Sequence, residues 1–154
     1  MDENRGQRPP LKILVKKVRS GARLPQYMTP QAAGMDLFAC PEHPLTLNPG
    51  EWKAIPTGIA VVIPEGWELQ IRPRSGLALK YGITLLNSPG TVDADYRGEI
   101  HVILINLGKA PFTVRPHMRI AQAILAPAVQ GNLEEAQDLP PSSRGKGGFG
   151  HTGI

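Results

Sequence analysis

Leu85 to Ile100 reads L-L-N-S-P-G-T-V-D-A-D-Y-R-G-E-I. Two apolar runs flank a polar middle with two carboxylates, a tyrosine, an arginine and several turn formers, the pattern of a β-hairpin whose bend carries chemistry. A plain surface turn uses the same Asp, Tyr, Arg and Gly. The remainder of the chain has to separate these two readings.

Outward from this stretch the punctuation continues. The 17 glycines and 16 prolines are spread along 154 residues rather than gathered in one block. The apolar runs between them suit many short strands joined by tight turns, an all-β class. Strands are expected over Leu11–Val18, from Asp36 to Ala39, over Leu45–Leu47, in two runs within Trp52–Ile63, and over Trp67–Ile71. They resume with a return arm Glu99–Leu107, Phe112–Val114 and Arg119–Ala128. In Arg119–Ala128 the Ala, Gln and Leu favour helix, but Pro116 and Pro127 leave only a strand's length. Alternation places Leu37 and Ala39 opposite Phe38. Pro25 and Pro30 hold an extended loop. One short helix is expected after Arg74, with Ser75 as N-cap and Gly82 as its left-handed stop.

A length of 154 residues with 41% hydrophobic content suits one domain with a modest core. The expected organisation is a disordered N-terminus over 1–10, a β-domain over 11–140 and a flexible arm over 141–154. A net charge of +4 favours anionic partners. Lys12, Lys16, Lys17, Arg19 and Arg23 have no interleaved aromatic residues, so they read as a solvated face and nucleic acid is not an expected partner. Cys40 is alone, which excludes an intrachain disulfide and fits a reducing, cytoplasmic compartment. No apolar run approaches the ~20 residues of a membrane helix, and the polar N-terminus lacks the hydrophobic centre of a signal peptide.

Two further segments carry chemistry. Arg74-Ser75-Gly76 opens the expected helix, where unpaired N–H groups and partial positive charge suit a phosphate. The C-terminal run from Arg144 to Ile154 combines glycines, two cations and one ring, Phe149. A disordered tail has no need of that ring, whereas a tail closing over a nucleotide would stack it on a base and turn N–H groups toward phosphates.

Five segments, A-G-M-D-L-F-A (33 to 39), P-R-S-G-L-A (73 to 78), N-S-P-G-T-V-D-A-D-Y-R-G-E (87 to 99), R-I-A-Q (119 to 122) and R-G-K-G-G-F-G-H-T-G (144 to 153), resemble in order and spacing the five motifs of the trimeric dUTPase family. The resemblance implies a jelly-roll-like β-barrel subunit with one short helix, a homotrimer with shared active sites, and Mg²⁺-dependent hydrolysis of dUTP to dUMP and pyrophosphate. That activity keeps uracil out of DNA and supplies dUMP for thymidylate synthesis. By position, Asp93 matches the general base that activates water for attack on the α-phosphorus. A carboxylate in a polar, partly solvated site is suited to that work. Tyr96 matches the ring set against the deoxyribose where a 2′-hydroxyl would project. Asn87 and the backbone at Thr91, Val92 and His101 match the readers of uracil, where mispaired hydrogen bonds reject cytosine by ~10⁴ or more; thymine is excluded by shape. Arg74, Ser75, Gly76 and Gln122 match the holders of the phosphate chain. The resemblance also implies a Mg²⁺ held mainly by phosphate oxygens, with Asp36 as a candidate water-mediated partner. Arg144 matches the arm's contact to the terminal phosphates and Phe149 its stacking ring, while His151 departs from the Ser common in the family. A related fold, that of dCTP deaminases, fits the second and third segments less well. A non-catalytic nucleotide sensor is disfavoured by the intact Asp93 and arm.

Overall fold

The structure, a computed structural model, describes residues 11–151. The expectation for residues 1–10 therefore lies outside it, as does the end of the arm beyond His151. Twelve strands and one helix follow in order: β1 (Leu14–Lys17), β2 (Gln26–Tyr27), β3 (Met35–Phe38), β4 (Leu45–Leu47), β5 (Trp52–Pro56), β6 (Ile59–Val62), β7 (Trp67–Arg72), α1 (Ser75–Tyr81), β8 (Ile83–Leu85), β9 (Gly90–Val92), β10 (His101–Asn106), β11 (Phe112–Val114) and β12 (Arg119–Pro127). The chain is mostly β with one short helix, as its punctuation predicts.

The strands pair into sheets ordered β1-β6, β5-β10-β8, β11-β4 and β2-β3-β12-β7-β9. These ladders do not close into the barrel that was expected. Strands this short, interrupted by Pro and Gly, support only local ladders, and what joins the sheets is a common core. Leu37, Leu47, Ile55, Leu69, Val102, Leu104, Val114 and Ile120 belong to one cluster drawn from all four sheets and their neighbours. Each such side chain contributes about 1.5–3 kcal/mol by leaving water. Asn106 is fully buried within this core. Its Nδ2 donates to the carbonyls of Leu47 and Ala110, both at 2.9 Å, and its Oδ1 accepts from Gly108 N–H at 2.8 Å. No hydrogen-bonding group of that amide is left without a partner of its kind, so the buried polar group fixes the turn after β10.

Two further expectations change. Leu85–Ile100 is not a simple hairpin. β8 does pair with β10, Leu85 opposite Leu104, but between them the chain leaves that sheet and β9 pairs with β7, Val92 opposite Leu69. The stretch thus bridges two sheets. Ser75 is the first helical residue rather than the cap. Arg74 occupies the cap position with an extended backbone and no side-chain capping bond, because its carbonyl already accepts from the N–H groups of Leu77 and Ala78. Along β3 and just past its end, Leu37, Phe38 and Ala39 are all buried. β3 lies inside a sheet and Arg23 sits 5.8 Å from the Phe38 ring centre, so neither face of the strand meets open water. The stop at Gly82 is as expected, with φ of 67°. A Cβ there would also fall 2.6 Å from the backbone of Gly108, so this position needs glycine twice over.

Candidate active site

Outside the C-terminal arm, the groups singled out in the sequence lie in two places built on the five-stranded sheet, with His101 of β10 beside the second. The first is the end of β7 that leads into α1. Asp36, from β3, accepts from Arg119 Nη1 at 3.1 Å and lies 3.6 Å from Arg74 Nε. Arg74 Nη1 donates to the Arg119 carbonyl at 3.0 Å, and Gln122 Nε2 donates to the Pro73 carbonyl at 3.0 Å. Register explains the gathering: Gln122 of β12 stands opposite both Asp36 and Arg72. A register shift between Arg119 and Ala121 lets Arg119 and Gln122, which strict alternation would turn to opposite faces, serve the same corner. Gly34 makes the room, since a Cβ there would lie 2.6 Å from Gln122 Oε1. Ser75 and Gly76 open α1 at this corner, and the space beside Gly76 is empty.

The second place surrounds β9, an edge strand. Gly90, Thr91 and Val92 pair on one side with Ile71, Gln70 and Leu69, leaving the other edge's backbone groups free of any strand. Asn87 lies over Gly90, its Nδ2 3.3 Å from where a Cβ would stand. Asp93 follows and is exposed. It borders an open groove of about 840 Å³ together with Trp67, Glu68, Asp95 and Arg97. The chain then turns tightly. Tyr96 N–H donates to the Asp93 carbonyl at 3.1 Å, and Arg97 Nη1 donates to the Ala94 carbonyl at 2.7 Å. Tyr96 Oη donates to the Glu99 carbonyl at 3.0 Å, and the ring covers Gly98 so closely that a Cβ there would fall 2.4 Å from Oη. His101 opens β10 opposite Pro56, its Nδ1 3.2 Å from the Glu99 carbonyl.

Two participants were not singled out. Arg119 lies in the quoted R-I-A-Q segment, yet only its Gln122 was assigned. Glu99 is the other. Its Oε1 accepts from Arg19 Nε at 2.6 Å and Gly58 N–H at 2.9 Å. Burial pushes the Glu99 carboxyl upward, but the hydrogen bonds from Arg19 and Gly58 and the nearby His101 outweigh it, so it sits below the ordinary carboxylate range. The same bond raises the Arg19 guanidinium. Nothing in local sequence couples residues 80 positions apart.

The arm stands apart from both places. From Ala128 to His151 there is no regular strand or helix, and Val129, Leu133, Leu139 and Phe149 are exposed. Its hydrogen bonds are mostly local, including Arg144 Nε to the Gly147 carbonyl at 2.8 Å and Gly145 N–H to Ser142 Oγ at 3.1 Å. The His151 ring covers Gly147. Among the described residues, no group of three or more His, Cys, Asp or Glu side chains is placed to hold a metal ion, and no helix is long and apolar enough to cross a membrane.

The β-rich chain thus presents an exposed carboxylate beside a free strand edge and, at a helix start, an Arg–carboxylate corner. The dUTPase family profile matches residues 20–153. The deoxyuridine 5′-triphosphate nucleotidohydrolase of Chlamydia pneumoniae is 62% identical over 88% of this chain and 94% of its own length. That of Syntrophotalea carbinolica is 54% identical over 92% and 97%. The solved dUTPase of Staphylococcus bacteriophage 80alpha with dUpNHpp superposes with a TM-score of 0.80 at 26% identity, over 93% of this chain and 99% of the phage chain. The chain belongs to the dUTPase family.

Proposed function

We propose that this chain is a dUTP diphosphatase that acts as a homotrimer, each site being built from more than one copy. The observation that carries the assembly is the separation of the two places along β7. Asp93 continues β9 beside Glu68, whereas Arg74 follows the far end of the same strand. From Glu68 to Arg74 the chain runs extended for about 20 Å at ~3.3 Å per residue. A base and a phosphate cradle acting on one α-phosphorus stand within a few ångströms of each other, so Asp93 of one copy works with the Arg74 corner of another. The exposed apolar side chains of the segment after Ala128 suit the same assembly, since a neighbouring copy covers them.

In this reading the uracil ring pairs with the free edge of β9 at Thr91 and Val92, with Asn87 and the His101 backbone beside it. Tyr96 stands against the sugar. Arg74, Ser75, Gly76 and Gln122 hold the phosphates, Arg74 being aimed by its contacts to Asp36 and the Arg119 carbonyl. Asp93 takes a proton from a water whose oxygen attacks the α-phosphorus. The bond from that phosphorus to the α–β bridging oxygen breaks, and pyrophosphate leaves with the bond's electron pair. Asp36 is already engaged by two guanidinium groups, so the residues present fit an ion that arrives on the triphosphate rather than one caged by protein. Mg²⁺ bound in that way neutralises phosphate charge and polarises the phosphoryl oxygens. Arg144 reaches the terminal phosphates and Phe149 stacks on uracil when the arm closes. The buried, lone Cys40 accords with a cytoplasmic enzyme.

The deciding experiment is pyrophosphate release by the purified chain with Mg²⁺ and dUTP, UTP, dCTP or dTTP. Release from dUTP alone is expected. No release from dUTP would overturn the proposal, and ammonia release from dCTP would replace it with deamination.

A further inference from the structure

Tyr96 is held from outside its own turn. Its hydroxyl donates to the carbonyl of Glu99, and the Glu99 side chain, only 15% exposed, is itself anchored to two distant segments. One is Arg19, just past the end of β1, at 2.6 Å. The other is Gly58 N–H in the turn between β5 and β6, at 2.9 Å. These anchors are bound to each other as well, because Val18 N–H donates to the Gly58 carbonyl at 2.8 Å. Gly58 has φ of 72°, and a Cβ there would meet Ala22 at 2.7 Å and Arg19 at 3.2 Å, so glycine alone suits this packed node. Beyond Glu99, Thr57 donates to the Ile100 carbonyl from both N–H, at 3.2 Å, and Oγ1, at 2.6 Å, while Ile100 N–H donates to the Ile59 carbonyl at 2.8 Å.

We infer that Glu99 and Arg19 are positioning residues for discrimination between deoxyribose and ribose. The Arg19–Glu99–Gly58 node fixes the carbonyl on which the Tyr96 hydroxyl hangs, and with it the distance of the ring from the sugar's 2′ position. This rests on the proposed role of Tyr96. A wall rejects an added hydroxyl only as well as it is rigid, since an apolar pocket that can yield discriminates merely about a hundredfold. Releasing the Glu99 side chain frees the carbonyl to move by some tenths of an ångström, and Tyr96 with it.

The test compares kcat/KM for dUTP and for UTP in the full-length wild type and in Glu99→Ala, Glu99→Gln and Arg19→Met. Ile83→Val, which lightens the core on β8 away from the node, serves as a control for lost stability. The dUTP-to-UTP ratio is expected to fall about tenfold in Glu99→Ala. It falls less in Glu99→Gln, whose amide oxygen still accepts from Gly58, and by an intermediate amount in Arg19→Met. Ile83→Val should lower Tm and leave the ratio unchanged. A ratio within about twofold of wild type in both Glu99→Ala and Arg19→Met, or an equal fall in Ile83→Val, would overturn the inference. Should Glu99→Ala fail to fold, Arg19→Met decides alone, because Arg19 is a surface residue. A wild type that releases no pyrophosphate from dUTP removes the site reading and this inference together. An active wild type with unchanged ratios in the variants removes only the inference.

Discussion

The turn from Asp93 to Ile100 and the segment from Ala128 to His151 both carry proposed site residues, yet they are built in opposite ways. Tyr96, Arg97, Glu99 and Ile100 are each tied by hydrogen bonds, and Glu99 reaches two other parts of the fold. The terminal segment spends its bonds largely on itself and leaves Leu133, Leu139 and Phe149 in solvent. The contrast separates two demands on one site. Groups that must meet the reacting phosphorus and the sugar with fixed geometry are ordered before substrate arrives. In the proposed reading the terminal segment is a cover that nucleotide and neighbouring copies would order, and the entropy of ordering it would fall on that step.

The contrast can be broken most sharply at its rigid side. Asp93→Asn should lower kcat by about 10³-fold, within the range of a lost general base. Titration calorimetry should show dUTP still bound, since shape and hydrogen bonding are kept. At the terminal segment, deleting residues 144–154 should cut kcat by about 10²-fold. Tm should hardly change in that protein, because residues 144–151 add nothing to the buried core; a large loss of Tm would show that the arm is part of the fold. Gly98→Ala places a methyl where the Tyr96 ring lies, 2.4 Å from its oxygen. Urea unfolding should report a loss of about 1–3 kcal/mol as the ring or turn shifts.

The smallest effect concerns Glu99 and pH. Its folded value lies below the ordinary 4.5, so its stabilising contribution is present above about pH 4.5 and is lost as pH falls through the lower folded value. Glu99→Gln should therefore melt about 1–2 °C below wild type near neutrality. The two curves should converge on acidification, as thermal melts from about pH 3 to about pH 7 would show. A gap that widens in acid would contradict the ion pair.

Strand placement was legible because Pro and Gly bracket almost every apolar run, as with Pro56-Thr57-Gly58 between β5 and β6. The helix was legible for the same reason, although Ser75 looked like its cap when Arg74 holds that position. β2 was hidden. Gln26 and Tyr27 lie between two prolines, and only their pairing with Asp36 and Met35 makes them a strand. Local pattern also could not show that Leu85–Ile100 joins two sheets, since the partner of β9 is β7, some twenty residues earlier. The chemistry on single segments was readable from residue type, as with the Arg74 corner. Coupling between segments was not, and Arg19 with Glu99 and Asp36 with Arg119 became visible only when the fold had brought them together.

The length of β7 has a consequence for mixtures of altered chains. If its two ends serve different catalytic sites, a chain lacking Asp93 still offers an intact Arg74 corner, and a chain lacking Arg74 still offers an intact Asp93. Each variant alone would then be crippled in every site it forms. Co-assembled, the two complement one another, and a fraction of hybrid sites recovers wild-type turnover. Dilution below the assembly constant extinguishes that recovered activity, because an isolated subunit holds the two halves about 20 Å apart.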